Sequence, residues 1–521
     1  MATFSMFKHA LGLGLALTLP LNAAAEVFED VSAATGFTPE FLANIPAGGI
    51  AVADFDRNGW PDIFVSGFFE PNRLYFNQGN GQFQQSSTVN QTLPGSKCSV
   101  AAAADYDNDG WVDLYVGCRD QSNYLFRNLA GTGFANATAP EIDHVAVGAN
   151  SPRTDAVAWG DVDGNGLLDL FIGIWVDQDG PDLNDPANLN RIVLQQSPGQ
   201  WVNVTAHYVG AERAKLARNT LAAVFSDLNG DGRVDLYVVN DKLRGNLLYR
   251  NDGPGCGGWC FSEVAIESGA GQTPMGMGIA VGDVDRDGDW DLYFSSIDEQ
   301  FFLRGLSRSP MLWQHQTATP LNFYGVGWGT VFADVDNDGW EDAFLAVGSG
   351  GFSQTANKDQ LFRNVQGQFQ NVTAQSGALF QERPTQQAAR IDFDRDGRLD
   401  WVLGHWNQGY RLYRNISQNN NHWLAMTLEG GGPVNRSALG AVVEVLTPDG
   451  GRQRREMRAG ESRGSSHEPL LHFGLGPHST AQVTIRWPDG FVQSLGTVTA
   501  DQVHHRAYPA ELMVFRNGFE P

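Results

Sequence analysis

The stretch Asp105-Tyr106-Asp107-Asn108-Asp109-Gly110-Trp111-Val112-Asp113, followed by Leu114-Tyr115-Val116, decides how the chain is read. Its pattern, D-x-[DN]-x-[DN]-G-x-x-D and then a short apolar run, recurs seven times, starting at Asp54, Asp105, Asp161, Asp227, Asp283, Asp334 and Asp392. The copies lie 51, 56, 66, 56, 51 and 58 residues apart, and periods of that size mark a solenoid or a propeller. Positions one, three, five and nine always carry a carboxylate or a side-chain amide. The first three copies have Asp54, Asp56, Asn58 and Asp62; Asp105, Asp107, Asp109 and Asp113; and Asp161, Asp163, Asn165 and Asp169. The next two have Asp227, Asn229, Asp231 and Asp235, and then Asp283, Asp285, Asp287 and Asp291. The last two have Asp334, Asp336, Asp338 and Asp342, and then Asp392, Asp394, Asp396 and Asp400. Alternate residues of a tight loop turn several oxygens inward, and calcium takes about six to eight hard oxygen ligands. Position six is Gly in every copy, which predicts a backbone conformation there that a Cβ would strain. Position seven varies freely, as a ligand supplied by a backbone carbonyl permits.

An EF-hand shares the opening of this pattern, but it needs a bidentate Glu at position twelve and flanking helices. Here position twelve is Val65, Val116, Ile172, Val238, Phe294, Leu345 or Leu403, and the flanks read as strands. Seven repetitions likewise exclude chance acidic turns. The ligand positions hold 25 carboxylates and three Asn, within a formal charge of −24 that seven divalent ions would reduce to −10. Much of the acidity is therefore metal-directed, and about seven Ca²⁺ are expected as structural braces. The acidic balance argues against nucleic acid as a partner.

The ends and the cysteines point to export. Lys8 precedes an apolar run from Ala10 to Leu21, and Ala23-Ala24-Ala25 offers a cleavage site, so residues 1–25 read as a signal peptide. At about twelve residues the run is too short to span a bilayer. Cys98 and Cys118 bracket one predicted hairpin, and Cys256 and Cys260 enclose a small loop, which predicts two disulfides in an oxidising compartment.

The seven loops resemble FG-GAP/VCBS-type repeats, as in integrin α propellers. So do the phrases that follow them, such as Tyr124-Leu125-Phe126-Arg127-Asn128, and the closing strands, such as Phe369-Gln370-Asn371-Val372-Thr373. The resemblance implies an all-β seven-bladed propeller over residues 26–415, one four-stranded blade per repeat, with each loop joining a first strand to a second. The fifth repeat is the weakest match, since no clean aromatic closing strand follows Phe302. The seventh lacks its closing strand altogether, and Val27-Phe28-Glu29-Asp30-Val31 is expected to supply it and so remove the open edges.

From about His422 the pattern changes. Asn435-Arg436-Ser437-Ala438-Leu439-Gly440-Ala441, His472-Phe473-Gly474-Leu475-Gly476 and Ile485-Arg486-Trp487-Pro488-Asp489-Gly490 resemble the ASPIC/UnbV domain. Alternating stretches and Pro-Asp-Gly turns predict a small β-sandwich-like domain over 416–516, with 517–521 as a tail. Array plus domain is similar to the cartilage acidic protein family and its bacterial relatives.

With the calcium loops on one face of the disc, ligand binding is expected on the other. Candidates there are Phe68, Phe69, Arg119, Trp175, Asn240, Lys242, Arg244, His405 and Trp406. The insertion Trp175–Asn190, with Asp177, Asp179, Asp182 and Asp185, is either an eighth cation site or a solvated flap. No GxSxG elbow, HExxH helix or phosphate-cradling Gly loop occurs, and Ser465-Ser466-His467 implies no orienting partner. The expected function is an extracellular binding or adhesion module for a protein or polysaccharide. The alternative is an extracellular carbohydrate-active enzyme of lyase or dehydratase type.

Overall fold

The computed structural model describes residues 27–39, 48–67, 70–87, 97–119, 121–143, 153–176, 188–205, 219–255, 258–348, 358–377, 379 and 381–513. The expected signal peptide, Phe68, Phe69, Cys256, the four acids of the 177–187 insertion and the tail lie outside them.

Each repeat folds as one antiparallel sheet. In the second, Cys98–Ala104, Asp113–Cys118, Tyr124–Asn128 and Phe134–Asn136 lie side by side in chain order. The nine-residue loop joins the first two strands, pairing Ala104 with Asp113, and the same register carries Cys98 opposite Cys118, which are bonded. Cys260 is also disulfide-bonded. Inner strands are continuous runs of small and branched residues, such as Ala101-Ala102-Ala103-Ala104, because each is packed on both faces by neighbouring blades.

Seven such sheets form the ring. In the seventh, Thr385–Ile391, Asp400–His405 and Gly409–Asn415 are completed by Phe28–Asp30, paired as Phe28 with Asn415 and Asp30 with Tyr413. The first strand of the chain thus closes the last blade, with the Phe28 and Trp401 rings 6.3 Å apart. The fifth repeat corrects its sequence reading. Met311–His315 is a full closing strand on Phe301–Arg308, and its Trp313 is buried where the other blades place their closing aromatic. The aromatic sits mid-strand in Met-Leu-Trp-Gln-His, without the Asn-Val-Thr continuation that marks the others.

The C-terminal region is two sheets facing each other. One holds Leu471–Gly476, His422–Glu429 and Gln502–Ala507; the other holds Arg452–Glu456, Val442–Leu446, Thr480–Arg486 and Val492–Thr499. Leu424, Met426, Val443, Phe473, Ile485 and Trp487 form their shared core, which is continuous with the apolar core of the second and third blades.

That region sits on the acidic-loop face of the ring, and a segment of it enters the ring's centre. A closed propeller leaves its inner strands lining an axial channel, with main-chain groups that need partners. The stretch from Glu456 to Glu468 supplies them to six blades and packs on the remaining one. Ser465–Ser466 adds a parallel strand beside Ile50-Ala51 of the first, and the Gly464 carbonyl accepts from Ala101 of the second at 3.2 Å. Trp159 of the third donates to the Ala459 carbonyl (3.1 Å), and Glu456 accepts from Ser226 and the Asp227 amide of the fourth. Ile279 of the fifth exchanges two bonds with Ser462, the Arg463 guanidinium lies 4.6 Å from the Trp328 ring centre of the sixth, and Glu468 donates to Arg390 of the seventh (3.2 Å). Two glycines let the segment pass. A Cβ at Gly460 (φ +97°) would meet the Val157 carbonyl at 2.3 Å, and one at Gly464 (φ +59°) would meet Ser99 at 2.5 Å. The segment is rich in Arg, Glu and Ser yet almost wholly buried. Its charges are paired there, Arg458 with Glu456 (3.2 Å) and Glu461 (3.0 Å), and Glu468 with Arg395.

Candidate metal centres

The seven loops share one hydrogen-bond plan. Position one accepts from the Gly amide at position six, for example Gly110 to Asp105 (2.7 Å) and Gly339 to Asp334 (2.8 Å). Position five accepts from the amide of position seven, as Trp111 to Asp109 (2.9 Å). The position-six glycines all have positive φ, from +79° at Gly397 to +93° at Gly288, as the pattern predicts. Position four is left-handed as well, at Arg57, Asn108, Gly164, Gly230, Arg286, Asn337 and Arg395. Where it has a side chain, that side chain reaches the next loop around the ring. Asn108 donates to the Gly166 carbonyl (2.8 Å), Asn337 to Gly397 (3.0 Å) and Arg395 to Gly59 (3.3 Å), while Arg286 stacks 3.9 Å from the Trp340 ring centre. With three Arg, two Asn and two Gly, this position carries no common sequence signal.

The last Asp of each loop is buried and anchors the blade. Asp113 accepts from Tyr106 (3.1 Å) in its own loop and from Asn128 (2.7 Å) on the third strand. The Asn128 amide then donates to the Phe55 carbonyl of the preceding loop (2.8 Å). Asn77, Asn251, Asn364 and Asn415 repeat this strut, and Gln195 replaces it in the third blade. Asn128, Asn251, Asn364 and Asn415 are the Asn of the Arg-Asn phrases, legible as a repeat but not as a strut.

In the first, second, third, fifth and sixth loops, three carboxylates each place an oxygen within 4.8 Å of the others. Burial and the neighbouring carboxylates raise the pKa of Asp54 to about 6, Asp105 to about 7, Asp62 to about 8 and Asp113 to about 9. Asp334 Oδ1 and Asp394 Oδ1 are buried with no hydrogen-bond partner. A cluster of crowded carboxylates with unsatisfied inward oxygens fits a hard divalent cation.

The C-terminal region covers these loops unequally. Gly474 donates to Asp334 (3.0 Å), Ser437 accepts from the Asp105 amide (2.9 Å), and Glu468 accepts from the Asp392 amide (2.9 Å). Beside the first two loops a cleft of about 690 Å³ opens between ring and cap. Arg57 and Trp60 line it from the ring, and Trp423, Glu429, Arg436 and His505 from the cap.

The residues expected on the opposite face take different places. His405 is 1% exposed, with Nδ1 2.8 Å from Thr385 Oγ1 and Nε2 3.1 Å from the Tyr413 hydroxyl. Burial, with Arg383 and Arg411 nearby, pushes its pKa down to about 3, so it is a neutral core residue. Asn240 is buried, and Trp406 and Arg244 are half-buried. Trp175 is buried too, donating to Asp241 (2.9 Å) between Arg153 (3.5 Å from the ring centre) and Lys242 (4.5 Å). Arg119 pairs with Asp155 at 3.5 Å. Burial works against the Asp155 carboxylate, yet Arg119, Arg153 and Arg463 together hold its pKa below the ordinary range.

The FG-GAP-like repeat model matches residues 54–116, 105–172, 227–294 and 334–403, and the ASPIC and UnbV model matches 431–511. Cartilage acidic protein 1 of Mus musculus is 24% identical over 505 residues, 89% of this chain and 74% of that protein. The Homo sapiens protein is 23% identical over 489 residues, 87% and 70%. Among solved structures, an Agrocybe aegerita lectin recognising non-reducing terminal N-acetylglucosamine aligns with a TM-score of 0.41 at 16% identity, covering 64% of this chain and 82% of that one. A Burkholderia pseudomallei lectin aligns at 0.38 and 11%, covering 88% and 97%. The repeats, the cap and the relatives agree: the chain is an FG-GAP-like repeat protein with a C-terminal ASPIC and UnbV domain, homologous to cartilage acidic protein 1.

Proposed function

We propose that the chain is a secreted, calcium-braced binding module whose ligand is an extracellular protein or polysaccharide. The loop carboxylates, with position nine anchored in the blade, hold about seven calcium ions that fix the ring and its cap as one scaffold. The observation that carries the binding role is the cleft between ring and cap. Clefts between structural units are favoured ligand sites, and about 690 Å³ is within the usual range. It offers the Trp60 indole, the His505 imidazole and the charges of Arg57, Arg436 and Glu429 on a rigid frame. Export is supported by the N-terminal apolar run and by the Cys98–Cys118 bond. No helix among the described residues is long and apolar enough to cross a membrane.

The test is a glycan array and a surface-protein capture with the mature chain in millimolar calcium, repeated with Trp60→Ala and Arg436→Ala. Ligand capture that both substitutions and chelation abolish supports the reading. Capture indifferent to the two substitutions would move the site off the cleft.

A further inference from the structure

The seven loops come in two compositions, and the third strand of each blade follows them. The second, fifth, sixth and seventh loops carry four carboxylates; the first, third and fourth carry three and an Asn. On the third strand, the residue just before the one whose amide donates to the position-nine Asp is Arg127, Arg304, Arg363 or Arg414 in the four-carboxylate blades. Each of these guanidiniums lies on its own loop. Arg127 contacts Asp107 (2.6 Å) and Asp109 (2.9 Å), Arg304 contacts Asp285 (3.1 Å), Arg363 contacts Asp336, and Arg414 contacts Asp394 (2.6 Å) and Asp396 (3.2 Å).

In the three-carboxylate blades the same strand position holds Phe76, Leu194 or Arg250, and Arg250 turns outward to Asp252 (2.7 Å). There the loop's own Asn is the donor. Asn58 donates to the Asn77 carbonyl (2.8 Å), Asn165 to Gln195 (2.9 Å) and Asn229 to Asp231 (3.1 Å). The fourth carboxylate and an arginine seated on the loop therefore occur together, four times out of four, and no third-strand arginine sits on the loop in the other three. With Arg250 turned outward, each four-carboxylate loop and its arginine carry the same net charge as the ligand positions of a three-carboxylate loop. The fourth and seventh gain one further cation from Arg233 and Arg398 at position seven.

We propose that Arg127, Arg304, Arg363 and Arg414 are built-in counter-cations that set the calcium affinity of their loops. They hold four mutually repelling carboxylates together before the ion arrives, and they lower the negative charge the ion meets. The extra carboxylate thus serves loop closure instead of tighter binding. This rests on the calcium reading of the loops, and it assigns the arginines as positioning residues, not ligands.

The test is calcium titration of the chelated mature chain by calorimetry, with thermal melting in chelator and in calcium. Arg127→Gln, Arg304→Gln, Arg363→Gln and Arg414→Gln combined should split the binding curve, with four sites tightening roughly tenfold. The chelated variant should melt well below the chelated parent, with a smaller gap in calcium. If the combined variant does not fold, Arg127→Gln alone should show the same tightening at one site. Arg127→Lys, which keeps the charge, should stay near the parent, and Arg250→Gln should change nothing. Unchanged or weaker calcium binding in the Gln variants, or a Lys variant that behaves like Gln, overturns the assignment. A parent chain that binds no calcium overturns the calcium reading itself.

Discussion

The first and sixth loops share one nine-residue pattern and have opposite surroundings. In the sixth, Asp334, Asp336, Asn337 and Asp342 are all buried, and Gly474 of the cap donates directly to Asp334. In the first, Asp54 and Asp56 are half-buried, Arg57, Asn58 and Gly59 are exposed, and the rim opens into the cleft. One motif therefore builds both a sealed brace and an open one, and the cap decides which. Metal exchange and stability should differ between the two by more than the change from Asn58 to Asp338 at position five accounts for.

Removing the cap gives the largest expected effect. Truncation after Asn415 strips the axial segment from all seven inner strands and uncovers the sixth loop. The isolated ring should be insoluble, or should melt at least about 15 °C lower, a shift equivalent to several kcal/mol for a chain of this size. A ring that melts cooperatively within a few degrees of the full chain would make the axial segment dispensable and end the comparison.

Gly460→Val is a milder version of the same cut. It forces a branched residue into φ +97° with its Cβ against the Val157 carbonyl, and should cost about 3 kcal/mol, read by denaturant unfolding. A loss under about 1 kcal/mol would mean the segment can shift aside.

At single loops, Asp334→Asn and Asp54→Asn alter equivalent position-one carboxylates, each accepting from its loop's Gly amide, one sealed beneath Gly474 of the cap and one half-buried at the cleft. In calcium, the sealed sixth loop should lose about 2–3 kcal/mol and the open first loop roughly half of that, since water can replace what is lost there. Equal losses would show that the cap does not distinguish the two.

Acid gives the smallest effect, at the ring–cap seam. Burial, reinforced by Arg455 and Arg390, lowers the pKa of His472 to about 3, and the ring lies 3.0 Å from the Gly397 carbonyl of the seventh loop. His467 is likewise lowered by burial, and its Nδ1 accepts from the Arg390 amide (3.3 Å). The unfolded chain, with ordinary His near pH 6.5, then binds more protons than the folded one. Stability therefore falls as pH drops below about 6.5. His472→Gln should flatten the melting-temperature profile between about pH 6.5 and 4.5; an unchanged slope would place the acid sensitivity elsewhere.

Much of this was readable before the fold was. Asp and Gly at fixed spacing named the loops, apolar position twelve excluded the EF-hand, and Val27–Val31 closed the seventh blade. The fifth blade's closing strand was missed because its one buried aromatic, Trp313, lacks the usual polar continuation. His405 is expected on the ligand face because it falls where a second strand turns to a third; packing between Thr385 and Tyr413 makes it core. The struts from Asn128 and its equivalents were visible only as repetition.

What the sequence alone determined is periodic and local: seven acidic loops, each a self-contained turn whose carboxylates and amides lie within nine residues. What only the tertiary structure decided is which of those turns water can reach. Nothing local marks residues 456–468 for burial, because hydropathy cannot see that Arg458 meets Glu456 and Glu461, or that the strand edges of seven blades converge on one axis. Burial there follows from closing the ring around a chain that returns to fill it, a contact between residues hundreds of positions apart that no local pattern encodes.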